Sequence, residues 1–169
     1  MKAVWIALAI LLALALQSVT GRFLVRGPAA VDLVLVLVVY VGLTTGMVSG
    51  LTVGALAGLA QDALSTGIVG VGGLAKTVVG FLAGAVGTQF IVTQPFPRFV
   101  VFFGATAVHA ALFMGLYALL DMRQVGNPAT AVAGQALGNA VIGVVAFQVI
   151  EMLPGAVERR RARRARIRR

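Results

Sequence analysis

Glycine recurs every fourth residue at Gly42, Gly46, Gly50, Gly54 and Gly58, and the next step on the same ladder is a carboxylate, Asp62. In water such a run makes a poor helix, because each interior glycine costs about 0.8–1 kcal/mol against alanine. In lipid no water competes for the backbone groups, so the helix forms regardless, and small residues at this spacing let a neighbouring backbone come close. The ladder therefore predicts membrane packing along a glycine face with a polar end point. The rest of the chain agrees: 60% of its 169 residues are hydrophobic, 11% are charged, and the mean hydropathy is +1.01.

A bilayer-spanning helix takes about 20 mostly apolar residues. Six segments qualify, at about 3–19, 30–43, 46–63, 72–92, 99–120 and 129–153, and they predict an all-α integral membrane protein, a six-span helical bundle. Pro28 opens the second and Asp32 stands in its first turn, where a negative charge meets the positive end of the helix dipole. The stretch from 29 to 63 is long for one span and short for two, so two short spans and a re-entrant hairpin both fit. Pro95 and Pro97 stop the fourth helix, and Pro154 with Gly155 ends the sixth, leaving a basic tail over 156–169. No linker separates a second domain.

Orientation follows the lysines and arginines, which collect on cytoplasmic flanks. Six spans put both termini inside, with Lys2, Arg98, Arg159, Arg160, Arg161, Arg163, Arg164, Arg166, Arg168 and Arg169, against Arg22, Arg26 and Arg123 outside. The tail arginines, directly behind a membrane helix, are expected at the anionic lipid surface rather than on nucleic acid. Lys2 and the small residues Ala13 and Ala15 also resemble a secretory signal, but the apolar run continues to Val19, which favours a retained first span.

Polar groups inside the spans are the candidate sites, since each is costly in lipid. A second ladder, Gly72, Lys76, Gly80, Gly84 and Thr88, marks the fourth helix. If the two ladders face each other, Asp62 pairs with Lys76; alternatively Asp62 caps the Ser65–Gly67 turn and Lys76 snorkels to the headgroups. His109, mid-way along the fifth helix, is expected as a neutral imidazole bonded to a neighbouring helix, with a proton relay as the rival role. In the sixth, Gln135 and Asn139, with Gly134 and Gly138, form a face for interhelical hydrogen bonds and close packing, and Glu151 is expected to answer tail arginines.

Catalytic chemistry finds little support. Without cysteine there is no thiolate nucleophile or thiolate metal site, and one histidine closes off most zinc sites. Ser49 and Gly50 invite comparison with membrane serine proteases, but Met47 stands where their Gly-x-Ser-Gly motif has its first glycine. No cofactor is expected.

The order of these features resembles the rod shape-determining MreD family. The resemblance rests on Pro28 and Asp32, on the run Gly54, Gly58, Leu59, Gln61, Asp62, Leu64, Ser65, Gly67, Gly70 and Gly73, and on Leu74, Ala75, Lys76, Thr77, Val79, Gly80, Phe81, Ala83 and Gly84. It implies a non-enzymatic scaffold of the cell-elongation complex in the bacterial inner membrane. The implied partners are MreC, the MreB cytoskeleton, and the RodA and penicillin-binding synthases of peptidoglycan. It further implies a fold similar to the vitamin-binding S-components of energy-coupling-factor transporters, whence the alternative of a substrate-binding transporter subunit. Such a subunit needs an outward pocket of convergent polar groups, for which the outer helix halves offer few side chains.

Overall fold

The computed structural model describes residues 2–23, 31–65, 67–90, 92, 94–120 and 128–167, with side chains described within 4–19, 31–120 and 129–152 of that set. Six helices follow one another: α1 (Lys2–Phe23), α2 (Leu33–Thr45), α3 (Met47–Ala63), α4 (Val71–Gln89), α5 (Pro95–Leu119) and α6 (Pro128–Ile167). Among the described residues, three stretches are long and apolar enough to cross a bilayer, Val71–Gln89, Pro95–Leu119 and Ala129–Met152. The chain is an all-α membrane protein.

Helix boundaries follow local chemistry. Asp32 is the N-cap of α2 rather than a residue of its first turn: its Oδ1 accepts from the Leu35 amide at 2.9 Å. The prolines do not end α4, which stops at Gln89 with Phe90 as its C-cap; Pro95 instead begins α5, because a proline in the first turn gives up an amide that has no intrahelical partner anyway. The expected stop at Pro154 and Gly155 does not occur, and α6 runs on to Ile167. Proline removes one donor there, whereas the alanines, arginines and Glu158 that follow are strong helix formers.

The first glycine ladder spans two helices. Gly46, with φ +96°, ends α2 and starts α3, so Gly42 belongs to one and Gly50, Gly54 and Gly58 to the other. With 13 residues at 1.5 Å rise, α2 is about 20 Å long, short of the ~30 Å hydrocarbon core. Both helices pack on α4, and α3 meets it antiparallel with backbone against backbone. A Cβ built at Gly50 would stand on the Gly80 carbonyl, one at Gly54 on the Lys76 carbonyl, one at Gly58 2.6 Å from the Gly73 Cα, and one at Gly84 on Met47. Gly42 faces Gly80 from α2, where a Cβ would come within 2.8 Å of the carbonyl oxygen.

Two apolar clusters flank this seam. One joins Leu35, Val39, Val79, Phe102, Ala140 and Phe147 of α2, α4, α5 and α6. The other joins Ala13 and Leu14 of α1 to Val34, Val38, Val53 and Ala57 of α2 and α3.

Candidate functional site

The end of the bundle where α2, α4 and α6 begin and α3 and α5 finish gathers most of the buried polar groups. At its centre Lys76 Nζ lies 2.9 Å from Asp32 Oδ2 and 3.3 Å from His109 Nε2, and all three side chains are buried. The ion pair joins α4 to the start of α2. The backbone supports it: the Asp32 amide donates to Asn139 Oδ1 at 2.9 Å, and Asn139 Nδ2 donates to Thr106 Oγ1 at 3.1 Å, so α5 and α6 belong to the same network. Gln17 of α1 completes the collar, accepting from the Leu33 amide at 2.7 Å and donating to the Val31 carbonyl at 2.9 Å.

Asp62, at the end of α3, has a different partner. Its Oδ2 accepts from the Gly70 and Gly73 amides, both at 2.9 Å, and so caps the start of α4, where free amides and the helix dipole favour a carboxylate. Gly72 makes room for it, because a Cβ there would collide with Asp62 Oδ1 and push the carboxylate aside.

These groups border a cavity of about 350 Å³ whose wall includes Asp32, Gln61, Asp62, Lys76, His109 and Gln135. Two buried polar atoms of that wall have no hydrogen-bond partner among the described residues, His109 Nδ1 and Gln61 Oε1. Below His109 the aromatic column continues through Phe113 to Tyr117, whose hydroxyl accepts from the Ile68 amide at 3.4 Å.

The opposite end carries a second charged pair. Arg98, buried in the first turn of α5, binds Glu151 of α6 through both terminal guanidinium nitrogens at 2.8 and 2.6 Å, donates from Nε to the Val92 carbonyl at 3.1 Å, and lies 4.0 Å above the Phe147 ring. A planar guanidinium is suited to all three contacts at once.

The family model for the rod shape-determining protein MreD matches residues 1–153. The chain belongs to the MreD family. No curated protein and no solved structure matches it. Membership places the chain in the rod-shape system as a shape-determining membrane protein, and the MreD family is not a known enzyme family.

Within this MreD-family bundle several sequence expectations need correction. Asp62 and Lys76 do not form an ion pair; Lys76 is paired with Asp32 and Asp62 with backbone amides. The ladders do face each other, but that register brings the Lys76 backbone against Gly54, and the long side chain leaves the seam toward α2 and α5. Its partner could have been sought in Asp32, a carboxylate at the start of α2 and thus at the same end of the bundle. Glu151 pairs with Arg98, since a buried guanidinium requires a counterion, while the expected contact with the tail arginines falls on side chains outside the described residues. The side chains of Arg22, Arg159, Arg160, Arg161, Arg163, Arg164 and Arg166 lie outside the described set, as do Arg26, Pro28, Arg123, Arg168 and Arg169 altogether.

His109 bonds to a neighbouring helix through Lys76, Asn139 ties α6 to α2 and α5, and Gln135 lines the cavity. Gly138 packs on Val31, 3.0 Å from a built Cβ. The sequence reading missed Gln17, Thr106 and the contact of Gly143 with the Phe102 ring. A lone glutamine in the apolar run of α1 was the available signal for the first; a threonine or glycine in a membrane helix gives none by itself.

Proposed function

We propose that the chain is a non-enzymatic scaffold of the cell-elongation complex, held in the bacterial inner membrane with both termini cytoplasmic. It binds MreC and helps to couple the MreB cytoskeleton to the RodA and penicillin-binding synthases. The observation that carries the reading is the backbone-to-backbone seam of α3 on α4 in a chain of the MreD family. Where Gly50, Gly54 and Gly58 set backbone against backbone, the seam has few rotamers to rearrange, so an outer face or rim built on it presents a fixed surface to the membrane helix and periplasmic part of MreC. Glu151 and Arg98 sit at the end that carries the arginine tail, which touches anionic lipid on the cytoplasmic side.

Mild-detergent purification from the membrane tests this. A scaffold brings down MreC in near-equal amount, read by mass spectrometry; recovery of ATPase subunits and a retained small molecule without MreC would overturn it.

A second reading, a substrate-binding subunit similar to the S-components of energy-coupling-factor transporters, is favoured by one observation. The polar residues of the far end converge on a cavity of about 350 Å³, within the size range of small-molecule pockets. The same purification separates the two readings.

A further inference from the structure

We infer that the far-end cavity binds a small group carrying a primary ammonium together with a hydrogen-bond acceptor, the chemistry of phosphoethanolamine. The inference needs neither reading of the preceding section, because it rests on the valences of the cavity wall.

Lys76 is an ammonium held by Asp32, and it has only donors to offer. Its contact with His109 Nε2 therefore uses the lone pair of that nitrogen, which places the imidazole proton on Nδ1. Nδ1 is buried without a partner on a side chain 7% exposed, so the wall holds one unpaired donor. Gln61 Oε1, on the part of the wall that α3 supplies, is an acceptor without a partner among the described residues. A buried donor or acceptor left without a partner is costly, so each favours a ligand that answers it.

Charge decides the kind of molecule. Asp32, Asp62 and Lys76 line the wall, two carboxylates against one ammonium. Asp32 and Lys76 cancel. Asp62 gives both its amide bonds to Oδ2, and Oδ1 accepts nothing among the described residues. An ammonium N–H entering beside Gln61 and Asp62 answers the free acceptor and the residual charge together, and a phosphate or hydroxyl oxygen on the same molecule takes the His109 Nδ1 proton. A trimethylammonium group has no N–H and cannot satisfy Gln61. The group can arrive as a lipid headgroup or as a free solute, and the chemistry is shared.

The test uses the full chain in nanodiscs. In phosphatidylcholine discs, soluble phosphoethanolamine is titrated against phosphocholine by calorimetry; in parallel, native mass spectrometry compares retention of phosphatidylethanolamine and phosphatidylcholine from mixed discs. A preference of about tenfold for the primary amine in the first arm assigns a free solute, and in the second arm a lipid. Gln61→Met, which keeps the volume and removes the acceptor, is expected to abolish that preference, as is Ala131→Leu, which fills the cavity from α6. Equal binding of the methylated and unmethylated probes in both arms, or a preference that survives in whichever of the two variants is folded by circular dichroism, overturns the inference.

Discussion

The α3–α4 seam and the α5–α6 side of the bundle hold helices together by opposite means. Along the seam, glycines on both helices let backbone touch backbone, and side chains such as Lys76 leave sideways. Between α5 and α6 the contacts are side chains: the Phe102 ring over Gly143, Asn139 to Thr106, and Arg98 to Glu151. In lipid the apolar surface of a helix gains nothing by meeting another, so association comes from close packing or from polar bonds. Close packing leaves no room. Polar bonds leave gaps wherever they do not close, and the far-end cavity is such a gap.

The largest expected effect comes from the one residue that belongs to both regimes. Lys76→Met strands Asp32 in the bundle and is expected to cost about 3–5 kcal/mol in unfolding experiments in bicelles, and Lys76→Met combined with Asp32→Asn should recover most of it, because the cap survives and no lone charge remains. A double-mutant cycle measures the coupling. Next, Gly50→Ala and Gly80→Ala each force a methyl onto a facing carbonyl and should cost about 1–3 kcal/mol by the same measurement.

Gly46→Ala tests the joint between α2 and α3 rather than the seam. At φ +96° and ψ 179° a Cβ is strained, and a loss of about 1–3 kcal/mol is expected even though the Cβ would meet only the Thr88 methyl, at an ordinary 3.9 Å. The smallest effect has the opposite sign: Gly104→Ala in α5 meets nothing within 4 Å and should raise stability by about 0.4–1 kcal/mol. Equal losses at Gly50 and Gly104 would erase the distinction between the two sides.

The seam was legible in the sequence because its code is periodic. Glycine recurs every fourth residue along α3 up to Asp62, and Gly72, Gly80 and Gly84 keep the same spacing around Lys76 in α4, and that spacing alone names the face, if not the break at Gly46 that divides the first ladder between two helices. The polar cluster was legible only as a list of members. Lys76 and Asp62 stood on facing ladders, yet a lysine side chain is long enough to reach any neighbour at its depth, and a carboxylate one turn before another helix can satisfy backbone amides instead. Pairing of this kind depends on three helices at once, which periodicity within one helix does not encode. The end of α6 was misread for a local reason: a single Pro-Gly step weighs less than the helix-forming run behind it.

A ribosome delivers Asp32 well before Lys76, and delivers Asn139, 107 residues further on, only when nearly the whole chain has emerged. Until α4 follows, the carboxylate at the head of α2 has no counterion, and until α6 follows, its amide has no acceptor. The sixth helix therefore closes the knot tied around the second, and a bundle caught before it docks would carry an open polar wound into the bilayer.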